Sequence, residues 1–490
     1  MKHYIGIDLG TSAVKLLLLT ETGEIRKTVS ESYSVSYPHT GWSEQDPELW
    51  LTHTLSAMER LLEGEDRSTV SGLSVAGQMH GLVLLDQAGT VLRPAILWND
   101  GRSVAETEYL NTVIGKDVLS AHTGNIAFPG FTLPKLLWVK DNEPEIYGQI
   151  ATVLLPKDYL VYRLTGVLGS EPSDACGTLY YDVKNQRWSK DILDRLEIPV
   201  AWMPPLRKSD EIVGEMLAQH CSSLGLSGHP FVTAGVGDNA GAALGTGALE
   251  VGACNISLGT SGTVLIPCDS YKTDPQNALH TFVHADGACM LLGCILSAAS
   301  CGQWWVEDVL GTKKYAEELQ ALSDEQGSEV LFLPYLMGER SPHNDPYARG
   351  VFMGMSRNTT RGELTRAVYE GVTFALRDCI EVARKMDIPL TRVRLCGGGA
   401  VSQAWQQMTA DILGVTVEVP AEIQGPSLGA ALLAAKADGV FPDLASAAEK
   451  MSATKAILSP NPAMSSYYEE KYRRFRELYR ALRPFFRNEV

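Results

Sequence analysis

The sequence contains no run that approaches the roughly 20 consecutive apolar residues of a membrane-spanning helix. Its N-terminus, MKHYIGIDLG, lacks the apolar segment and small-residue cleavage site of a signal peptide. The nine cysteines are odd in number and scattered, with no CxxC pair, so they predict neither a disulfide framework nor a zinc site. We expect buried thiols in a cytoplasmic protein.

Positive charge is also scarce, because 42 Lys and Arg stand against 58 Asp and Glu, for a net charge of −16. This excess disfavours binding to nucleic acids or anionic membranes. The densest basic run, EEKYRRFRELYRALRPFFR, alternates with Glu at helical spacing and predicts a solvated helix face. The two common nucleotide-binding signatures, GxxxxGK[ST] and a GxGxxG between strand and helix, are missing.

The length of 490 residues predicts two domains, since single cores stop growing near roughly 250–300 residues. We place them at 1–245 and 246–490. Each half opens with a predicted β-hairpin, YIGIDLG with AVKLLLLT in the first and CNISLG with GTVLIP in the second. Strand-like runs then alternate with helical patterns, among them a long amphipathic helix at 361–386, so both halves are predicted to be α/β.

The tetrapeptide LGTS occurs in both hairpins, at 9–12 and at 258–261. A Gly-Thr-Ser turn between strands presents backbone N–H groups and small hydroxyls, which suits a phosphate. One copy indicates only a turn. Two copies, each opening one half of the chain, predict a nucleotide whose phosphates lie between two domains.

Two aspartates lie at the ends of apolar strands, Asp8 just before the first Gly-Thr-Ser turn and Asp238 in a Gly-lined turn next to the domain boundary. Asp8 either caps its turn or holds Mg²⁺ near the phosphates. Asp238, in GVGDNAG, either caps the following helix or faces the cleft as general base for a substrate hydroxyl. The residues alone leave both alternatives open.

Three further stretches are candidates for ligand binding. AGQMHG carries Gln78 and His80 between glycines, and LWNDGR carries Trp98 and Asp100, a combination that suits a sugar. CGGGA at 396–400 joins a strand to a helix without side chains, where a nucleoside could lie. Each could equally be plain loop chemistry.

With these residues assembled, the chain resembles the FGGY family of carbohydrate kinases, and within it the bacterial xylulokinases. The resemblance covers essentially the whole length, through segments in order from IGIDLGTSAVK, AGQMHG and PAILWNDGR to GDNAGAA, SLGTSG, FLPYLMGERSPH and CGGGA. It implies an α/β fold of two actin-like (ribonuclease-H-like) domains, with ATP and sugar in the cleft between them. It also implies transfer of the γ-phosphoryl group of ATP to D-xylulose.

Carried over by position, Asp238 corresponds to the catalytic base, and Asp8 to an acid near Mg²⁺ and the phosphates. The residues expected to bind sugar are Gln78, Met79, His80, Trp98, Asp100 and Asn239. Those expected to bind ATP are Gly10, Thr11, Ser12, Lys15, Gly259, Thr260, Ser261, Gln303, Gly397, Gly398, Gly399 and Gln403. Lys15 stands where some relatives have Arg.

Glycerol kinases of the family carry an Arg-Glu pair where this chain has Met79 and His80, which argues against glycerol. Another ketose or a pentitol stays open as substrate, and a homodimer is one candidate for the oligomeric state. Two rivals come from other classes, a non-catalytic actin-like sensor and a sugar hydrolase with paired carboxylates. The intact acid at 238 disfavours the first, and the repeated phosphate turns disfavour the second.

Overall fold

Two seven-stranded sheets form the centre of the structure, one in each half of the chain. The computed structural model describes residues 1–323, 328–421 and 424–487. The first sheet contains β1 (His3–Leu9), β2 (Ala13–Thr20), β3 (Ile25–Ser32), β5 (Val70–Gly77), β11 (Ile212–Glu215), β12 (Phe231–Thr233) and β13 (Val236–Gly237). The second contains β14 (Gly252–Leu258), β15 (Gly262–Pro267), β16 (His280–Val283), β17 (Cys289–Ile295), β20 (Leu390–Cys396), β21 (Thr416–Pro420) and β22 (Thr454–Leu458).

Short two-stranded ribbons and helices surround these sheets. The ribbon strands are β4 (Glu44–Gln45), β6 (Val83–Leu85), β7 (Ala95–Ile96), β8 (Thr152–Leu154), β9 (Tyr181–Asp182), β10 (Arg187–Trp188), β18 (Leu331–Leu333) and β19 (Val351–Met353). The helices before residue 250 are α1 (Pro47–Leu61), α2 (Val104–Tyr109), α3 (Lys116–Thr123), α4 (Thr132–Asn142), α5 (Pro144–Tyr147), α6 (Pro156–Thr165), α7 (Pro172–Ala175), α8 (Lys190–Arg195), α9 (Ala218–Ser223) and α10 (Asp238–Thr246). Those after it are α11 (Ala299–Gln303), α12 (Tyr315–Glu318), α13 (Arg361–Lys385), α14 (Gln403–Leu413), α15 (Pro426–Ala437), α16 (Leu444–Met451) and α17 (Pro462–Phe486).

The central strands of the two sheets share one order and orientation. In the first, β1 pairs antiparallel with β2 and parallel with β5. In the second, β14 pairs antiparallel with β15 and parallel with β20. Strands such as β1 are buried on both faces, which explains their continuous apolar runs. The α/β fold with two similar halves, each opening with a hairpin, is confirmed.

Helix α15 follows the second sheet in sequence but packs on the first. It contacts β1, β5 and α10, and its apolar residues share a core with the first half. Glycines permit this approach: a Cβ at Gly6 would lie 1.9 Å from the carbonyl oxygen of Ser427, and one at Gly429 would lie 2.0 Å from that of Gly241. Helix α15 thus packs against the first sheet although it follows the second in sequence, and the division at 245/246 stays a prediction.

Helix α17 has two different faces, and only one of them is the solvated face that the sequence predicts. Arg473 is exposed and pairs with Glu470 and Glu477. On the other face, Tyr472 and Phe475 are buried in the core of the second half. The helix therefore packs on that core through one face and exposes the ion-paired Arg473 on the other.

All nine cysteines are free, and seven of them are buried, as expected. Across the described ranges, no helix is long and apolar enough to cross a membrane.

Candidate active site

Both Gly-Thr-Ser turns lie at the ends of the first strands of their sheets. In the first turn, the Gly10 N–H donates to Ala13 O at 3.0 Å, and Trp98 donates its indole N–H to the Thr11 hydroxyl at 2.9 Å. In the second, the N–H groups of Ala298 and Ala299, at the start of α11, donate to Thr260 O and Gly259 O. Each turn is thus braced by neighbouring backbone while Ser12 and Thr260 stay exposed.

A cavity of about 300 Å³ lies between the two halves and is called here the phosphate-side cavity. Its walls include Asp8 and Lys15 from the first hairpin and Gly397 from the turn after β20. Asp8 and Lys15 are cross-strand partners in β1 and β2, which places both on one side of the cavity. The arrangement combines carboxylate, ammonium and bare backbone, a chemistry suited to a nucleotide phosphate and its counter-ion.

A second cavity of about 200 Å³, the sugar-side cavity, adjoins the first. The first half contributes Met79, His80 and Trp98, and the turn residue Ser261 reaches it from the second half. Trp98 is 43% exposed and supplies an aromatic face at the rim. Aromatic and polar groups around a small enclosed volume suit a polyhydroxylated ligand.

Asp238 and Asn239 line both cavities. Helix α10 begins at Asp238, its N-cap is Gly237, and no side chain caps it. The Asp238 carboxylate accepts from the backbone N–H of Asn239 at 2.7 Å and from its side-chain amide at 3.0 Å. Asp238 therefore does not occupy the N-cap position, and its carboxylate is held at the junction of the two cavities.

A buried network of hydrogen bonds holds the backbone at the start of α10. The Ser173 hydroxyl accepts from the Gly237 N–H at 2.9 Å and donates to Glu171 at 2.9 Å. Lys157, also buried, donates to Ala234 O just before this turn. These bonds fix the backbone that presents Asp238.

The electrostatics of the two aspartates differ from those of surface carboxyls. Burial raises the pKa of Asp238 to about 6, against the hydrogen bond from the Asn239 N–H. Burial, with the nearby Asp238 charge, raises the pKa of Asp8 to about 7, and Lys15 opposes this shift. Two carboxyls with pKa values near neutrality beside one cavity are typical of an acid-base site.

The surroundings of His80 hold its ring in one neutral tautomer. Its backbone has a φ of 70°, its ring stacks on Phe131 at 4.7 Å, and its Nδ1 lies 2.7 Å from Gly177 O. A carbonyl only accepts, so Nδ1 carries the proton and Nε2 is left as an acceptor. Burial lowers the pKa of His80 to about 3, which keeps this tautomer neutral.

Two predicted sugar residues do not line either cavity. The Asp100 carboxylate is buried and accepts from the Ser43 N–H at 2.6 Å and from the Arg102 guanidinium at 2.8 Å, so its oxygens hold a loop together. Gln78 is buried and accepts from the Thr11 hydroxyl at 3.0 Å. In this structure Asp100 braces a loop and Gln78 hydrogen-bonds the first turn, and their contacts to a sugar stay predictions.

The predicted adenosine turn lies beside the end of β14. Gly397 has a φ of 89°, and a Cβ there would lie 2.6 Å from Leu258 O, so only glycine fits. A Cβ at Gly398 would meet open space, and Gln403 at the start of α14 is exposed. Gly399 packs against Trp405, and Gln303 at the end of α11 is exposed. Their contacts to a nucleotide stay predictions.

The second half also supplies residues that sequence reasoning missed. Arg340, His280 and Phe282 line the sugar-side cavity. The Arg340 guanidinium lies 5.0 Å from the ring centre of Phe128, and its Nε and the His280 Nε2 have no hydrogen-bond partner among the described residues. The only signal for Arg340 was its place in GERSPH directly after an apolar run, and His280 had none.

Comparison with known proteins agrees with this architecture. The models of the N-terminal and C-terminal domains of the FGGY family of carbohydrate kinases match residues 3–245 and 254–437. The xylulose kinase of Escherichia coli (strain K12) is 42% identical over 98% of this chain and 99% of its own. The solved structure of ligand-bound xylulose kinase from Lactobacillus acidophilus has a TM-score of 0.95 at 26% identity, with both chains fully covered. Gluconate kinase from the same organism gives 0.94 at 26%, also with full coverage of both chains.

Proposed function

The chain belongs to the FGGY family of carbohydrate kinases, and on that premise we propose that it transfers the γ-phosphoryl group of ATP to D-xylulose, giving D-xylulose 5-phosphate. The observation that carries the proposal is the place of Asp238, which lines both the phosphate-side and the sugar-side cavity. A carboxylate in that position can reach a sugar hydroxyl and the phosphoryl group that it attacks. The relatives of this chain include xylulose kinases.

In the proposed reaction, Asp238 accepts the proton of the attacking hydroxyl. Phosphoryl transfer needs little covalent chemistry from the protein, so positioning and charge stabilisation supply most of the acceleration. Asn239 orients the carboxylate through its backbone and side-chain N–H groups. Lys15 and the backbone N–H groups of the two Gly-Thr-Ser turns stabilise the negative charge of the phosphates.

The residues of the phosphate-side cavity also fit Mg²⁺. Among the described residues no group of three or more His, Cys, Asp or Glu side chains could hold a metal. Mg²⁺ commonly takes one or two carboxylates and completes its shell with phosphates and water, so Asp8 together with the nucleotide suffices. When bound, the ion would neutralise charge on the β- and γ-phosphates.

Sugar recognition is proposed to rest on both halves. The His80 Nε2 accepts from a sugar hydroxyl, and Arg340 offers donors from the opposite wall. The neutral His280 donates its Nδ1 proton to the Asn125 side-chain oxygen at 3.3 Å, so its Nε2 offers a second acceptor. Met79 is partly held by the Asn239 amide, which donates to its sulfur at 3.5 Å. Because these walls belong to different sheets, closure of the cleft brings the sugar site together and excludes water.

The deciding experiment measures ADP release by a coupled assay over ketopentoses, pentitols, glycerol and gluconate, with Mg²⁺ and ATP. We expect D-xylulose to have the highest kcat/KM, by a wide margin over glycerol. Faster turnover of gluconate or glycerol would overturn the assignment of D-xylulose as substrate, while the assignment as a sugar kinase would stand. Absence of ADP release with every sugar would favour a sensor.

We further propose that the enzyme works in the cytoplasm, where ATP is available and its nine free thiols stay reduced. A homodimer is the proposed assembly, and sedimentation equilibrium measures it directly.

A further inference from the structure

A groove of about 650 Å³, here named the basic groove, lies outside the two active-site cavities. It is bounded by α13 and α17 of the second half and by the start of α3 of the first half. Six cationic side chains and two carboxylates line it. The cations are Lys116, Lys385, Arg476, Arg480, Arg483 and Arg487.

Three arginines of the groove lie on α17, and the fourth, Arg487, directly follows its last residue. Positions 476, 480 and 483 follow each other at spacings of four and three residues, which places their side chains on one helix face. Lys385 stands at the end of α13, beside that face. A chain with a net charge of −16 therefore gathers positive charge on one wall.

Neighbouring carboxylates pair with only two of these six cations, Arg476 with Asp378 and Arg487 with Asp345. Asp378 accepts from the Tyr472 hydroxyl at 2.6 Å and lies 3.7 Å from Arg476, and Glu381 pairs with Arg384 at 2.7 Å. Lys116, Lys385, Arg480 and Arg483 form no ion pair with any described residue.

One polar atom of the groove is also buried without a partner. The Arg487 Nε is buried and has no hydrogen-bond partner among the described residues, although its guanidinium lies 3.4 Å from Asp345. The groove thus combines unpaired cations with an unsatisfied donor.

We propose that the basic groove binds a small anion that carries two or more phosphate groups. Guanidinium groups bind phosphate oxygens in pairs, and several of them around one cavity suit several phosphates. The volume fits a small molecule. A macromolecular polyanion is disfavoured because the rest of the surface would repel it.

The groove and the sugar-side cavity are lined by different residues of the same two chain segments. Ala278 lines the groove two residues before His280, and Pro342 lines it two residues after Arg340. The Asn344 N–H donates to Arg340 O at 2.6 Å, and the Ser120 hydroxyl of α3 donates to the Asn277 side chain at 2.9 Å across the two halves.

An anion held by Lys116 on one side and α17 on the other ties the two halves together. It would therefore favour the closed cleft and lower the KM for the sugar. The change in KM rests on the proposed kinase function, whereas the binding of the anion to the basic groove does not.

Isothermal titration of the full-length protein, without Mg²⁺, with tripolyphosphate and separately with a hexose bisphosphate tests binding. The test variant is Arg480→Gln/Arg483→Gln. The matched control, Arg473→Gln/Arg474→Gln, removes the same charge from the same helix outside the groove, where the two arginines pair with Glu470, Glu477 and Glu329. Any binding in the cleft is common to both variants.

We expect the test variant to lose at least about tenfold in affinity while the control stays within about twofold. The tighter of the two probes identifies the source of the phosphates. Equal affinity of both variants would overturn the site, as would binding no tighter than that of sulfate at physiological salt. If a short RNA binds more tightly than either probe, the proposal that the ligand is a small molecule is wrong.

The coupled assay then measures the KM for the sugar with saturating hexose bisphosphate. We expect a lower KM in wild type and in the control and an unchanged KM in the test variant. Binding without any change in KM would refute the coupling, and an enzyme with no turnover on any sugar would refute the proposed function while the titration still decides the site.

Discussion

At the scale of single residues, the site depends on two carboxyls that share one cavity but have different neighbours. Asp238 accepts from Asn239 and faces both cavities, whereas Asp8 stands in β1 opposite Lys15. Their roles can be separated because one is expected to touch the sugar hydroxyl and the other only the phosphate side.

We predict that Asp238→Asn lowers kcat by about 10²–10⁴-fold, the usual cost of removing a general base. Asn is nearly isosteric and keeps the helix start, so the melting temperature and ATP affinity should stay near wild type. Steady-state kinetics and thermal denaturation measure both. The control is Asp443→Asn, which alters the N-cap aspartate of α16. Turnover of Asp238→Asn within a few-fold of wild type would show that the proton leaves by another route.

The raised pKa of Asp238 predicts that activity falls on the acidic side of the pH profile. A general base must be deprotonated, so log kcat/KM should fall with a slope of about one as the pH drops below about 6, the pKa of Asp238. Asp8 titrates nearby with a pKa of about 7, so the inflection belongs to the pair. The residual activity of Asp238→Asn should lack this fall, and a fall that persists would be assigned to another group.

Asp8→Ala is predicted to lower kcat by at least about tenfold with little change in sugar affinity, because its expected partners are Mg²⁺ and phosphate. Single-turnover kinetics and sugar titration measure the two effects, and the Mg²⁺ concentration for half-maximal rate should rise. Asp86→Ala is the control, since Asp86 caps an ordinary turn through the Ala88 and Thr90 N–H groups. An Asp8→Ala enzyme with wild-type Mg²⁺ dependence would make Asp8 a turn residue only.

At the scale of secondary-structure elements, the crossing of α10 and α15 joins the two halves. The two helices make close backbone contact through Gly241 and Gly429, and α10 begins with Asp238. The helix that positions the proposed base is therefore packed against the helix that crosses from the second half. A change at this crossing acts on the site without touching it.

We predict that Gly429→Ala lowers the free energy of unfolding by about 3 kcal/mol or more, because the new Cβ would stand 2.0 Å from the Gly241 carbonyl oxygen and a helix backbone must move. It should also lower kcat. Gly228→Ala, whose Cβ meets open space, is the control. Denaturant unfolding of both variants checks the stability, and a Gly429→Ala protein as stable as the control would contradict the crossing.

At the scale of the whole molecule, both active-site cavities have walls from two sheets. Met79 and His80 face His280 and Arg340 across the sugar-side cavity. Both cavities therefore need the two halves in contact, and hydrogen bonds such as that from the Asn125 amide to Thr281 O join the halves directly.

We predict that D-xylulose together with a non-hydrolysable ATP analogue reduces the radius of gyration measured by small-angle X-ray scattering, because closure excludes water from the site. Gly429→Ala should show a smaller reduction. Scattering curves that do not change with ligands would mean that the proposed closure does not occur in solution.

Much of the molecule could be predicted from local sequence. Apolar β-type runs bounded by Gly-Thr-Ser located both hairpins, and the stripe at 361–386 located α13, because secondary structure follows patterns that lie within a few residues. The repeated turn and Asp238 also indicated where nucleotide and base should lie.

Only the tertiary structure decided the rest, since it depends on residues far apart in the chain. Asp100 has the residue type of a sugar ligand, but it is buried against Ser43 and Arg102. His280 carries no local signal, yet folding brings it into the same cavity as His80. Helix α15 packs on the first sheet because small residues on three separated segments interlock, a complementarity that periodicity does not record.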